Sequence, residues 1–236
     1  MTNATHTVKA FDEDLNRLRG SIAEMGGLAE AAIGEAMRAL MQRDLDAARR
    51  IVADDRKIDA LEAEVERMAV QFIALRAPMA DDLREAIAAL KIASVVERIG
   101  DYAKNIAKRV PTLGRTPEIQ PLSLLPEMAR IAAAMVHDVL DAFVQRDAEK
   151  AVAVCERDKV VDDFHNSIFR ALLTFMMENP QNITAATHLL FIAKNVERIG
   201  DHATNVAEMV YFAATGRHMA ERTRGEDPVR SGSDNG

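Results

Sequence analysis

Two eleven-residue stretches carry the side chains best suited to chemistry. Residues 97–107 read ERIGDYAKNIA and residues 197–207 read ERIGDHATNVA, identical at eight of eleven positions with an offset of one hundred. Each sets a glutamate, an aspartate and an asparagine four residues apart: Glu97, Asp101 and Asn105, then Glu197, Asp201 and Asn205. On a helix this spacing stacks the oxygens on one face, about 6 Å apart along the axis, close enough for neighbouring carboxylates to share a cation. Like charges so placed also repel. A repulsive ladder kept twice therefore argues for something cationic that compensates it. A second ladder, Asp55 with Asp59 and Asp158 with Asp162, precedes each motif on what would be the adjacent helix. Oxygen donors without His or Cys suit magnesium, manganese, calcium or iron better than structural zinc.

Plainer readings stand beside these. A stripe of Glu, Asp and Asn is ordinarily a solvated face. Its repetition tips the balance, because core packing preserves apolar positions and gives no reason to preserve acidic ones opposite. Gly100 and Gly200 sit inside the motifs, where glycine costs a helix about 1 kcal/mol relative to alanine; close approach of a helix or ligand, or a simple packing contact, would offset that. Arg98 and Arg198 read as anion contacts or, more plainly, as neutralisers of nearby carboxylates. His165 falls on the same side as Asp158 and Asp162, and the plain reading is a lone surface histidine. Cys155 is the only cysteine, which excludes an intramolecular disulfide and suits a small buried side chain.

Helices must position these groups. Apolar residues recur in steps of three and four, as in Leu15, Leu18, Ile22, Met25, Ala29, Ala32 and Ala36, and again in Ile58, Leu61, Val65, Met68, Phe72 and Leu75. Aromatics are 4% of residues and Trp is absent, which fits long helices better than a sheet. In the motif helix, Ile92, Val96, Ile99, Ala103, Ile106 and Val110 define one line, with Glu97, Asp101 and Asn105 at about 140°, 180° and 220° from it. The oxygens are thus expected to face solvent, back to back with the core stripe.

Asp44 and Asp147 are placed to cap helices, and Pro78 and Pro180 to follow helix ends. The spacing predicts helices over roughly 7–41, 45–76 and 80–110, then 122–144, 148–178 and 182–214. The fold class is therefore all-α: two tandem antiparallel three-helix bundles related by internal duplication. The domains would be 1–110 and 122–216, joined by a proline-rich linker at 111–121 and followed by a disordered tail at 217–236. The net charge of −7 excludes a nucleic-acid partner, and no run of apolar residues suffices for direct membrane insertion, so a cytoplasmic protein is expected. No ExxH, GxGxxG, P-loop or HExxH pattern occurs, leaving no basis for an enzyme.

With its paired ExxxDxxxN motifs, MGGLAEAAI at 25–33, MVHDVLDAF at 135–143 and DKVVDDF at 158–164, the chain resembles the PhoU family over nearly its whole length. The resemblance implies a cytoplasmic, often dimeric protein that represses phosphate-starvation signalling when phosphate is plentiful. It implies contacts with the sensor histidine kinase of the phosphate two-component system and with the ATPase subunit of the phosphate ABC transporter. It also implies metal ions, with iron, manganese, magnesium and zinc all open. Their ligands would be Glu97 and Asp101 with Asp55 and Asp59, and Glu197 and Asp201 with Asp158 and Asp162, supported by Asn105 and Asn205. The alternative is a metal-free helical adaptor.

Overall fold

The structure, a computed structural model, describes residues 2–114 and 123–219. The first half contains α1 (Thr2–Gln42), α2 (Leu45–Asp54), α3 (Arg56–Arg76), α4 (Ala80–Ala107) and the single turn α5 (Val110–Leu113). The second contains α6 (Leu125–Gln145), α7 (Ala148–Glu178) and α8 (Ile183–Thr215), with a short 3₁₀ turn at Pro180–Asn182 between the last two. The chain is all-helical, and its six long helices form two three-helix halves in tandem.

Local chemistry explains the boundaries. The Asp44 side chain accepts from the backbone N–H groups of Asp46 and Ala47, and Asp147 accepts from that of Lys150, satisfying donors that a helix start leaves open. α3 ends on Ala77 in the left-handed region (φ 44°), directly before Pro78. The single helix expected over 45–76 is instead interrupted at Asp55, whose own backbone stays helical (φ −51°, ψ −34°). The expected linker begins later than predicted, because Val110 and Leu113 are buried and hold α5 against the body. The rest of that linker, 115–121, and tail residues 220–236 lie outside the described residues.

One apolar core runs through both halves. On α1 it takes Leu15, Leu18, Ile22, Met25, Ala29, Ile33 and Ala36, with Ile33 in place of the expected Ala32. On α3 it takes Ile58, Val65 and Phe72, while Leu75 at the end of the expected row is 70% exposed. Within each half the helices pack on one another, and α1 also packs on α6 and α4 on α8. These two crossings bury the flank that each three-helix unit would otherwise leave to water. At the first of them, the absence of a side chain at Gly26 gives Leu140 its place.

A buried carboxylate pins the halves together. Glu85 of α4 is 3% exposed and accepts from Arg19 Nε of α1 at 2.5 Å and from Arg146 Nε, at the C-cap of α6, at 2.6 Å. One glutamate thus joins three segments from both halves. Its removal strands two guanidiniums, although Arg146 is still substantially solvated, which moderates the penalty. Glu85→Ala is expected to lower the free energy of urea unfolding by about 2 kcal/mol while leaving far-UV circular dichroism in buffer unchanged.

Candidate functional site

The carboxylate ladders do not stand free in solvent as expected. Glu97, Asp101 and Asn105 are half-buried, as are Glu197, Asp201 and Asn205. Each row leans on the edge shared with the neighbouring helix, α2–α3 in the first half and α7 in the second. The helical wheel correctly directs the oxygens away from the core stripe. It cannot show that the antiparallel neighbour covers their flank.

The glycines permit that cover. A Cβ on Gly100 would stand 2.8 Å from Ile58 Cδ1 and 3.6 Å from Asp55 Oδ1. On Gly200 it would stand 3.3 Å from Asp158 Oδ1 and 3.4 Å from Val161 Cγ1. In both halves the missing side chain lets the neighbouring helix approach and brings an aspartate against the motif helix. Of the readings left open for these glycines, helix packing holds, and what it admits is a carboxylate.

Around the first motif, Asp55 is buried and Asp59 exposed, so the two do not share one environment. Lys104 Nζ lies 2.5 Å from Asp55 Oδ2 and 2.5 Å from Asp101 Oδ1. It is an internal cation bridging the two helices. Desolvation works to lower the Lys104 pKa, but hydrogen bonds to Asp101 and Asp55 outweigh it and push the pKa up, so the ammonium is retained. Glu97 lies beyond its reach and is held above the usual carboxylate range by burial, then by Asp101, Glu62, Asp59 and Asp55.

The second half differs at that same position. Thr204 replaces Lys104, and its hydroxyl donates to the Asp201 backbone carbonyl at 2.8 Å rather than to a carboxylate. The lysine of this face is Lys194, ten residues earlier on α8, paired with Glu197 at 2.6 Å. Asp158, Asp162 and His165 are half-buried on α7. Burial, followed by the charges of Asp158, Glu197 and Asp201, raises the Asp162 pKa to about 6, with Lys194 only partly opposing them. Both halves concentrate negative charge between two helices, and in the first Lys104 is the cross-helix lysine set against it.

Among the described residues, no three His, Cys, Asp or Glu side chains are gathered closely enough to hold a metal ion as they stand. The donor chemistry, oxygen-only and crowded enough to raise a carboxylate pKa, fits a hard cation in the second half. In the first half the ammonium of Lys104 already occupies that role. Lys104 and Glu62 escaped sequence reasoning. The signal for Lys104 was the lysine-to-threonine difference between otherwise matched repeats, and Glu62 had none.

The PhoU domain family model matches residues 22–110 and 125–210. The chain is 57% identical over 226 residues, 96% of this chain and 95% of the relative, to a phosphate-specific transport system accessory protein PhoU homolog of Zymomonas mobilis. It is 47% identical over 221 residues, 92% of this chain and 95% of the relative, to one of Caulobacter vibrioides. The crystal structure of PhoU from Pseudomonas aeruginosa superposes with a TM-score of 0.84 at 34% identity, covering 88% of this chain and all of that one.

A raised carboxylate pKa has a definite sign in stability. In metal-free protein the folded state binds the Asp162 proton more tightly than the unfolded chain, so the contribution of this group to stability is fully present below about pH 4 and is lost as pH rises through about 6. Asp162→Asn removes this loss. In EDTA-treated protein the variant is expected to be more stable than the parent at pH 7, by on the order of 1 kcal/mol, and no more stable at pH 4. Urea titrations at the two pH values measure the difference.

Proposed function

The chain belongs to the PhoU family, and on that premise we propose that it is a non-enzymatic, cytoplasmic accessory protein of phosphate-specific transport. In this reading it is a negative regulator of phosphate uptake and of phosphate-starvation signalling. It couples the phosphate ABC transporter, through the ATPase subunit, to the sensor histidine kinase of the phosphate two-component system, and works as a homodimer. One observation carries the proposal: a relative named as such an accessory protein is 57% identical over 96% of this chain. The architecture is consistent with it. No helix among the described residues is long and apolar enough to cross a membrane, so any contact with a membrane-bound complex would be made through helix faces.

The carboxylate faces are the proposed metal sites. Asp158, Asp162, Glu197 and Asp201, supported by Asn205, would hold a divalent or trivalent ion. Glu97, Asp101, Asp55 and Asp59, supported by Asn105, form the corresponding but weaker set because Lys104 competes. A bound ion would bridge the carboxylates of α7 and α8 and draw the two helices together. The metal-free adaptor is favoured by one specific feature, the salt-bridged Lys104, which shows how this fold can neutralise such a face without metal.

Two measurements separate and test these readings. Deleting the gene is expected to leave alkaline-phosphatase-type starvation genes active in high phosphate; expression identical to the parent strain would refute the regulatory role. Titrating EDTA-treated protein with manganese in a calorimeter is expected to show one strong site, lost in a variant combining Asp158→Asn and Asp162→Asn. Lys104→Thr is expected to add a second site. No heat from the parent protein would favour the adaptor.

A further inference from the structure

α4 and α8 meet along a seam that none of the preceding functions use. They run antiparallel: Arg109 stacks over the Phe191 ring at 4.4 Å, Arg198 lies over Tyr102 at 5.9 Å, and Arg84 lies against Gly216. Equivalent repeat positions meet at the centre, where Tyr102 and His202 pack edge to face at 5.2 Å. The solvent side of this seam is basic. α4 contributes Arg84, Lys91 and Arg98, Arg109 follows just beyond its end, and α8 contributes His188, Arg198 and His202, while the carboxylates of these helices lie on the flanking columns, Asp81 among them in a pair with Arg84. In a chain of net charge −7, that is a segregated stripe.

Its cations are incompletely met: Arg84 pairs with Asp81 at 2.5 Å and Arg109 lies 3.1 Å from His188 Nδ1. Arg98, Arg109 and Arg198 form no ion pair among the described residues. Four buried side-chain polar atoms have no hydrogen bond there, and three are nitrogens on this seam: Arg84 Nε, Arg109 Nε and His202 Nδ1. The fourth, Glu197 Oε2, is 2.6 Å from Lys194 Nζ. The seam also opposes its own positive charge. His188 is lowered by burial and by Arg109; His202 is lowered chiefly by burial, with the charges of Arg98 and Arg198 adding to it and the Arg198 backbone and the Asp201 carboxylate partly opposing it. A ligand bringing acceptors and negative charge would relieve all of these groups together.

The shape of the stripe selects the ligand. From Arg84 to Arg109 it runs about 37 Å at 1.5 Å per residue, much longer than a single phosphate. Exposed Ile87 and Phe191 lie among the cations, calling for apolar groups as well as acidic ones. On each side it is bordered by carboxylates one helical column away, Glu97 and Asp101 on α4 and Glu197 and Asp201 on α8. A flat anionic membrane or a nucleic-acid duplex would press its phosphates onto those borders, whereas a single helix fits between them. A symmetric second copy is excluded as well, because it would set Arg98 and Arg198 against themselves.

We propose that the α4–α8 seam is the docking surface for an acidic amphipathic helix of a protein partner, laid along the basic stripe with its carboxylates on Arg98, Arg198 and Arg109. This deepens the accessory reading by assigning it a surface and a partner chemistry. It is independent of the metal sites.

The probe is a fluorescein-labelled helical peptide of about 25 residues with Glu on one face and Leu beside it, titrated by anisotropy against the full purified chain. A micromolar dissociation constant that weakens with salt is expected, as is no binding of the same peptide with Lys for Glu. Arg98→Glu with Arg198→Glu is expected to weaken binding at least about tenfold, and Arg98→Gln with Arg198→Gln to do so less, with both variants melting like the parent. The remote pair Arg49→Glu and Arg67→Glu leaves it unchanged. Absence of binding, equal binding by the charge-reversed variant, or displacement by inorganic phosphate or phosphatidylglycerol vesicles would each overturn the assignment. Because the titration has no phosphate-regulated readout, its failure is distinguishable from failure of the regulatory role.

Discussion

The packing of α4 against α8 joins the two helices whose apolar stripes are most completely covered. Ile92, Val96, Ile99, Ala103 and Ile106 on one, and Ile192, Val196, Ile199, Ala203 and Val206 on the other, are fully enclosed. Each helix is covered by its two partners in its own half and by its counterpart in the other. Such enclosure leaves only narrow strips for polar groups, at the edges where neighbouring helices meet. Carboxylates occupy the edge towards α2–α3 or α7, and guanidiniums and imidazoles the edge between α4 and α8. Charge is therefore sorted by sign into parallel strips because the core stripe takes the rest of each helix.

Duplication provided the frame, and divergence at a few positions distinguishes the halves. Lys104 against Thr204 decides whether the motif helix itself offers an ammonium to the carboxylate of its neighbour. Lys91 against Phe191 and Tyr102 against His202 make the seam a mixture of cation and ring rather than a simple repeat. These exchanges fall on helix edges, where a side chain can change without opening a cavity. The buried apolar positions vary little because any change of volume there is resisted by close packing.

Glu85 shows the reverse economy, a charge taken deep into the structure. A buried carboxylate is tolerated when its oxygens are met by well-placed donors, and here the donors come from α1 and from the α6 cap. Together with the Gly26–Leu140 contact, it sets how the second half sits on the first. These contacts add to the α4–α8 and α1–α6 packing in fixing the relative position of the two halves.

The linear chain was enough to determine the helical class, the tandem halves, the capping aspartates and the family, because each follows from local periodicity or from motifs that recur at fixed spacing. It also determined which faces carry oxygen. The degree to which those faces are covered was decided only by the tertiary structure: Asp55 became buried, Asp59 stayed exposed, and Lys104 found an aspartate 49 positions earlier in the chain. Convergence of Arg98 and Arg198 from opposite halves was likewise invisible in either repeat alone. Burial and charge pairing depend on which helix lies alongside, and that choice is made by the shape of the whole core rather than by any one helix.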